Sequence, residues 1–435
     1  MPRVMARNAA LVISGRIGFV ALWFLAVLLV YRGLGSDTAG LSEAGLFAIA
    51  IACVKIASGC IVDPSDVALM RRAPSLLRDD PEAAYRLFRA AFVLRGGLTA
   101  AVVLTLLLFA EIFSRDILGH PEATPLVRFV AAAIVGDMLF RSVMVVLQAA
   151  ERFKALVLLE GFMQVLRFGS ILLLWAFGAI QVELVLASYA AASFLALLVG
   201  AAGLLPRRLF ASPRFEAKDL RHLLHFLKWM MPAMVLAAFN ERLDILLVFG
   251  FAGSDVAGLY GAMLTLALVP DLVAGSLSSL LQPRIARMRE EGSYASMLRL
   301  FLRISLPLLG VAFLLALLFA RPVITLVLGP TYAAETGSFL WLLAGTLIWL
   351  AVTPLPMTMV AVHAPAQIAL VTAGQLAIVA SLGLILLPMH GPVGMAIAVF
   401  TTRISVALAL FLMARRLAMP MRGGALLRVR QTHAS

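Results

Sequence analysis

The chain has 435 residues, 62% of them hydrophobic, and its mean hydropathy is +1.00. This composition excludes an ordinary soluble domain, in which the apolar share is about 45–50%. The net charge of +13 at pH 7 would by itself favour a nucleic-acid-binding protein, but the distribution of the basic residues argues against one.

Twelve apolar runs are long enough to cross a bilayer, since a membrane-spanning helix needs about 20 apolar residues. We predict transmembrane helices at Leu11–Tyr31, Ala44–Val62, Phe92–Phe113, Leu126–Ala150, Ala155–Ile180, Leu184–Leu205, Trp229–Phe251, Ala257–Leu281, Ile304–Ala320, Phe339–Val362, Ile368–Leu387 and Val393–Met413. The first run is longer than the roughly 7–15 apolar residues of a cleavable signal, so we expect it to remain as a span.

The gaps between these runs alternate in charge. The two termini and the second, fourth, sixth and eighth gaps hold 26 of the 36 Lys and Arg residues, whereas the odd-numbered gaps hold only Arg32, Arg115 and Arg321. We assign to the second gap Arg71, Arg72, Arg78, Arg86, Arg89 and Arg95. Because basic residues are retained on the cytoplasmic side, we predict a multi-pass protein of the bacterial inner membrane with both termini in the cytoplasm. The alternation accounts for the charge, and we expect no nucleic-acid partner.

The sequence contains a weak internal repeat. Four pairs of segments align at offsets of 213, 211, 213 and 210 residues: Gly45-Leu46-Phe47 with Gly258-Leu259-Tyr260, Arg78-Asp79-Asp80 with Arg289-Glu290-Glu291, Leu87-Phe88 with Leu300-Phe301, and Leu118-Gly119 with Leu328-Gly329. A rival alignment of residues 35–41 with residues 253–259 has an offset of 218 and disagrees with the other landmarks, so we treat it as coincidence or a local insertion.

The repeat predicts how the spans are organised. Six spans in each half is an even number, so both halves enter the bilayer from the same side, as the basic gaps also indicate. We therefore predict an all-α polytopic membrane protein with twelve transmembrane helices in two parallel six-helix lobes, residues 1–205 and 206–435, around a central cleft. This is the plan of a transporter and not that of a typical enzyme, and we expect no cofactor.

Ionisable residues inside the predicted spans are the candidate functional groups. A charge at the bilayer centre costs at least about 2.5–3.5 kcal/mol, so such residues usually face a cavity or a partner. The first half holds Arg16, Lys55, Arg128, Arg141 and Arg167 with Asp137 and Glu160, and the second half holds Glu241, Arg242, Asp244, Asp271 and Arg403. By this count the first half carries +3 and the second half −1.

Helical spacing sorts these charges. Asp137 and Arg141 are four residues apart and could pair directly, so Arg141 is either part of a structural ion pair or a ligand contact. Arg16 and Arg167 have no acid within one turn on their own helical face, which favours a cavity for both. Asp271 follows Pro270, where a proline permits a bend.

Cations at membrane depth suit a multiply anionic ligand such as a phosphate or pyrophosphate, because arginine's forked donors match phosphate oxygens. We predict that the substrate is bound by Arg16, Lys55, Arg141 and Arg167. The acids of the second half suit coupling to a proton or a sodium ion, and we predict this role for Glu241, Asp244 and Asp271. No metal site is expected, since the only cysteines, Cys53 and Cys60, lie about 10 Å apart along one predicted helix.

Several short segments carry a resemblance to a known family. They are Gly45-Leu46-Phe47, Gln148-Ala149-Ala150-Glu151-Arg152-Phe153, Ala257-Gly258-Leu259-Tyr260 with Val269-Pro270, Gln282-Pro283-Arg284-Ile285-Ala286 and Leu328-Gly329-Pro330-Thr331-Tyr332. With them the chain resembles, over essentially its whole length, the polysaccharide-transporter and O-antigen flippase family of the multidrug/oligosaccharidyl-lipid/polysaccharide exporter (MOP) superfamily.

The resemblance implies a fold and a cargo. The fold would be MATE-like, with two V-shaped lobes and alternating access. The cargo would be an undecaprenyl-diphosphate-linked oligosaccharide, moved from the cytoplasmic to the periplasmic leaflet and surrounded by membrane lipids. Drug-exporting members of the superfamily tend to carry an acidic residue on the first span, where this chain has Arg16, which favours an anionic cargo.

Other functions fit the pattern less well. A major-facilitator-type or drug/ion exporter is the nearest alternative, although the glycine-rich form of the major-facilitator loop is missing. A membrane glycan polymerase or ligase usually carries a long periplasmic loop, and the longest outward gap here, around residues 321–338, is short. ATP hydrolysis within the chain is excluded because no G-x-x-x-x-G-K-[ST] motif occurs.

The predicted topology can be tested by labelling single cysteines in a Cys53→Ala, Cys60→Ala background with a membrane-impermeant thiol reagent. We expect cytoplasmic positions for Arg71→Cys, Arg207→Cys and Arg287→Cys, and labelling from outside the cell for Ser36→Cys, Asp116→Cys and Glu335→Cys. Labelling of the first group from outside would overturn the predicted orientation.

Overall fold

The computed structural model describes residues 2–35, 38–117, 123–209, 216–290, 293–361 and 365–418. Within these ranges the secondary structure is helical and contains no β-strand. The α-helices are α1 (Pro2–Leu34), α2 (Thr38–Asp79), α3 (Pro81–Leu108), α4 (Ala110–Ile112), α5 (Thr124–Ala149), α6 (Phe153–Ala176), α7 (Val182–Gly203), α8 (Ala217–Asn240), α9 (Leu243–Ala267), α10 (Val269–Glu290), α11 (Tyr294–Val327), α12 (Thr336–Val352), α13 (Pro354–Ala361) and α14 (Pro365–Ala418).

The described helices have the length and composition of membrane spans. Nine of them are long and apolar enough to cross a bilayer, or ten if the bent pair Lys218–Lys228 and Met230–Asn240 is one span. Within α11, none of the residues in an 18-residue apolar stretch is buried against the rest of the described chain. This exposure is expected for a helix that contacts lipid. The prediction of an all-helical, multi-pass membrane protein is confirmed at this level.

Two predicted spans are interrupted near their middles. Helix α8 ends at Asn240 and α9 begins at Leu243, inside the predicted seventh span, and α9 ends and α10 begins on either side of Leu268, inside the predicted eighth. Each of these two predicted spans therefore consists of two helices, and the second break lies beside Pro270, where the sequence permits a bend. Pro270, in the first turn of α10, lacks a backbone N–H and therefore suits a helix start better than a helix interior.

Two glycines interrupt helices at predicted boundaries. Gly253 within α9 has φ of 86°, and Gly391 within α14 has φ of 61°, a region that residues with a side chain rarely adopt. The first lies between the predicted seventh and eighth spans, and the second between the predicted eleventh and twelfth.

Helices α2 and α9 pack closely against each other in the largest hydrophobic core of the described residues. A Cβ added at Gly45 would overlap the backbone carbonyl of Ser254, and one added at Gly258 would overlap the carbonyl of Leu41. The hydroxyl oxygens of Ser42 and Ser254 lie 2.7 Å apart at the same place. Small residues permit this approach of two backbones, which is a common way for helices to associate in membranes.

The α2–α9 contact is reciprocal under the repeat offset of 213. Residues 41 and 45 correspond to residues 254 and 258, so the contact of Gly45 with Ser254 is matched by that of Gly258 with Leu41. A second matched pair consists of Tyr31 with Phe47, whose rings meet edge to face at 5.5 Å, and Asp244 with Tyr260, joined by a 3.1 Å hydrogen bond. The offset of 218 does not produce these matches.

Removing the small residue at this contact should destabilise the fold. We expect Gly258→Ala to cost about 1–3 kcal/mol, because the new methyl group has no space beside the Leu41 carbonyl. Thermal unfolding in detergent, followed by size-exclusion chromatography, measures the change in apparent Tm. The control Gly310→Ala adds a Cβ with nothing within 4 Å and should leave Tm unchanged or raise it. Equal Tm values for the two variants would contradict the packing argument.

Two adjoining polar cavities

The first cavity has a volume of about 300 Å³ among α1, α2, α5, α6 and α7, and it reaches the breaks at both ends of α9. This volume is at the lower end of the roughly 300–1000 Å³ of a typical small-molecule site. Its polar lining consists of Lys55, Asp137, Glu160, Gln164, Arg167, Tyr189 and Arg242. Two of the four predicted substrate-binding residues, Lys55 and Arg167, therefore line one cavity.

Asp137 of α5 is the carboxylate that several groups of this site share. One of its oxygens accepts a 2.7 Å hydrogen bond from the Ser58 hydroxyl and lies 3.3 Å from Nε of Arg141. The other oxygen lies 3.7 Å from an Nη atom of Arg167. The spacing of four residues puts Asp137 and Arg141 on the same face of α5, as predicted. A single carboxylate thus faces two guanidinium groups.

Arg167 is held by residues from other helices. It is only 9% exposed, its Nη donates a 2.7 Å hydrogen bond to the Ser193 hydroxyl, and its guanidinium lies 4.8 Å from the centre of the Tyr189 ring. The partners of Arg167 therefore come from α5 and α7 and not from its own helix. Its Nε is buried without a hydrogen bond to any described residue and remains available as a donor.

Carboxylates of α2 neutralise two more arginines. Arg141 lies 2.8 Å from an oxygen of Asp63, so it has two acidic partners, and it does not line the first cavity. Arg95 is 2% exposed, pairs with Asp66 and donates a 2.6 Å hydrogen bond to the Ser65 hydroxyl. Arg95, which we assign to the second gap, is therefore buried where α3 packs against α2.

Lys55 and Arg242 are the cavity cations that form no ion pair at contact distance with a described residue, although Asp137 attracts Lys55 and Asp244 attracts Arg242 from farther away. The Lys55 side chain is exposed within the first cavity and makes no ion pair there with a described residue. Arg242 is the residue before α9, at the break between α8 and α9, and its Nε is buried without a hydrogen bond to any described group. Arg16 belongs to α1, but its side chain lies outside the described part of the structure.

The second cavity has a volume of about 380 Å³ and shares Arg242 and Leu268 with the first. All three predicted coupling residues line it: Glu241, Asp244 and Asp271. Asp271 accepts two hydrogen bonds from Arg403, of 3.0 and 2.9 Å, which tie α10 to α14. Asp244 is buried and accepts hydrogen bonds from the Tyr260 hydroxyl and the Ile245 backbone N–H, whereas Glu241 is exposed.

Sequence reasoning missed some of these groups. Asp63 and Asp66 lie just beyond the predicted second span, so they do not enter the charge count of the first half. Arg242 enters the count of the second half, and only its place at a helix break brings it to the first cavity. The polar triplet Asn240-Glu241-Arg242 in the middle of an apolar run was the available signal for this break.

The ion pair of Arg95 and Asp66 should serve stability. We expect Arg95→Leu to lower stability by about 3–5 kcal/mol, because it leaves a partly buried carboxylate without its partner, and Arg95→Leu with Asp66→Leu to recover part of that loss. The control Arg78→Leu removes an exposed pair with Glu151 and should be nearly neutral. The apparent Tm in detergent measures each effect. An unchanged Tm for Arg95→Leu would exclude this stabilising role.

We compared the sequence and the fold of this chain with those of known proteins. The profile of a family described as polysaccharide biosynthesis protein matches residues 67–335. A search of curated protein sequences finds no match. Among solved structures, the chain is similar to an inward-facing multidrug resistance MATE family transporter of the MOP superfamily, with 13% identity, a TM-score of 0.74 and coverage of 93% of this chain and 98% of that one.

Two further structures show the same fold. The lipid II flippase MurJ, in an inward closed conformation, has 15% identity and a TM-score of 0.67, with 92% of this chain and 87% of that chain covered. A MOP superfamily transporter from Pyrococcus furiosus, whose binding pocket is described as having reverse polarity, has 13% identity, a TM-score of 0.66 and 96% of each chain covered. The chain therefore belongs to the polysaccharide biosynthesis protein family and has the fold of the MOP-superfamily transporters.

Proposed function

We propose that the chain flips an undecaprenyl-diphosphate-linked oligosaccharide from the cytoplasmic to the periplasmic leaflet of the bacterial inner membrane by alternating access. Family membership supports a role in polysaccharide biosynthesis, and the fold supports transport. The observation that carries the choice of cargo is the pair of cations, Lys55 and Arg242, that line one cavity without an ion pair to any described residue.

The charge balance of the first cavity favours an anionic headgroup. Its lining holds three cations, Lys55, Arg167 and Arg242, against the two carboxylates of Asp137 and Glu160, which leaves a net charge of +1. A cation at membrane depth is costly unless a counter-charge offsets it, and Asp137 is already shared by Arg141 and Arg167. A diphosphate would supply several anionic oxygens to Lys55, Arg242 and the free Nε of Arg167. A cationic drug would be repelled by the same groups. We also propose that Arg16 binds the headgroup, because its place in the first predicted span puts it at membrane depth. We propose a different role for Arg141, which is to position Asp137.

For the architecture, we propose twelve helices in two parallel lobes, residues 1–205 and 206–435, with both termini in the cytoplasm. The twelve apolar runs, the alternating charge of the gaps and the reciprocal contacts at an offset of 213 support this arrangement. The chain would then work as a transporter without catalysis and without a cofactor.

For the energy source, we propose coupling to a proton or a sodium ion through Glu241, Asp244 and Asp271. These carboxylates share one cavity, which meets the substrate cavity at Arg242. Protonation of Asp271 would weaken its two hydrogen bonds to Arg403 and release α10 from α14. The interruptions at both ends of α9 would allow these segments to move without unfolding a continuous helix.

The cargo site can be tested by measuring flipping of a labelled undecaprenyl-diphosphate-linked oligosaccharide in proteoliposomes of matched protein content. Lys55→Glu, Arg167→Glu and Arg242→Glu should each slow flipping by roughly ten- to a hundredfold, because each removes a charge-assisted contact and adds repulsion. The control Lys154→Glu changes an exposed lysine at the start of α6 and should flip normally. Normal flipping by all three cavity variants would exclude the proposed headgroup site.

The same assay separates the roles of the remaining candidates. Arg16→Glu should also slow flipping if that side chain reaches the cavity. If Arg141→Ala slows flipping and the added substitution Asp137→Asn restores the rate, Arg141 belongs to the structural ion pair. If the double variant remains slow, Arg141 contacts the substrate.

A further inference from the structure

The second cavity adjoins the proposed diphosphate site. The two cavities share Arg242 and Leu268 in their linings, and the second adds about 380 Å³ to the roughly 300 Å³ of the first. A headgroup with its diphosphate at Lys55 and Arg242 would therefore have space beyond Arg242 for the group attached to it.

The lining of the second cavity suits a polar ligand without charge. Its Asp271 is matched by Arg403, and Arg242 partly offsets Asp244 and Glu241, so the charged side chains of the lining sum to only −1 and do not favour a second anionic group. The other polar side chains of the lining, apart from Glu241 and Arg242, are neutral: Asn240, Thr346, Trp349, Gln375 and Thr402. Amides and hydroxyls both donate and accept hydrogen bonds, as sugar hydroxyls do.

Two amides of this cavity have unused hydrogen-bonding capacity. The side-chain oxygen of Asn240 is buried and accepts no hydrogen bond from a described residue. The amide of Gln375 also lines the cavity without a hydrogen bond to any residue that the structure describes. A buried polar atom without a partner costs about 1–3 kcal/mol, so a hydroxyl-bearing ligand would be favoured here.

Trp349 supplies a flat apolar surface beside these amides. It packs against the buried cluster of Leu355, Val406 and Leu410 and also lines the cavity, so its ring is supported from behind by α13 and α14. An aromatic ring of this kind can cover the C–H face of a sugar ring while polar neighbours bind its hydroxyls. Trp341, eight residues earlier on the same helix, instead contacts Phe400 and does not line the cavity.

From these observations we propose that the second cavity binds the glycan of the cargo, with Trp349 covering a sugar ring and Asn240 and Gln375 hydrogen-bonding to its hydroxyls. This inference rests on the proposed function, since it takes the diphosphate in the first cavity as its anchor. The glycan would occupy the cavity that also contains the proposed coupling carboxylates, but it would not bind to those carboxylates.

The test compares two probes with purified protein in detergent: undecaprenyl diphosphate alone, and undecaprenyl diphosphate carrying one N-acetylhexosamine. The wild type should bind the sugar-bearing lipid about tenfold more tightly. Trp349→Ala, Asn240→Ala and Gln375→Ala should each reduce that preference while leaving the Kd for the bare lipid unchanged. Trp341→Ala and Gln148→Ala, which alter residues outside the cavity, should retain the full preference.

The outcomes separate this inference from the function on which it rests. Equal affinity of the wild type for the two lipids, or an equal loss for both lipids in the cavity variants, would overturn the glycan site while leaving the diphosphate site intact. Failure of the wild type to bind either lipid would overturn the proposed function and the glycan site together. Loss of the preference in Trp341→Ala as well would also overturn the assignment to Trp349.

Discussion

An ionised side chain surrounded by apolar helices needs a counter-charge, and this constraint organises the interior of the protein. Arg95 is paired with Asp66, Arg141 with Asp63 and Asp137, and Arg403 with Asp271. Except for Asp137 with Arg141, which are both on α5, each pair joins two different helices and so helps to fix their relative positions. An anionic ligand would gain the most binding free energy at the cations that lack such a pair.

Helix α2 connects the packing of the fold to its chemistry. Near its start, Gly45 lies against the backbone of α9, in a contact that excludes any larger side chain. Further along, Lys55 enters the first cavity, Ser58 holds Asp137, and Asp63 and Asp66 neutralise arginines of α5 and α3. Helix α2 therefore carries both the close contact with α9 and the groups that line or neutralise the charged site.

The helix breaks at the two ends of α9 bring polar groups into the apolar interior of the second half. A helix break exposes backbone groups, which is tolerated at membrane depth only beside a cavity or other protein. Here the two breaks lie where the cavities meet, and the first of them brings Asn240, Glu241 and Arg242 together at their boundary. The break between α8 and α9 thus supplies Arg242, the polar residue that lines both cavities.

The sequence by itself determined the class of the protein, because apolar length and alternating charge depend only on residue type and order. It also identified the helix-forming runs, the repeat offset, the pairing of Asp137 with Arg141 and two residues of the first cavity, Lys55 and Arg167. The partners of Arg167, the burial of Arg95 and the access of Arg242 to both cavities depended on tertiary structure. Those features require knowing which helices are neighbours, and in so uniformly apolar a chain periodicity along one helix does not reveal what lies across from it.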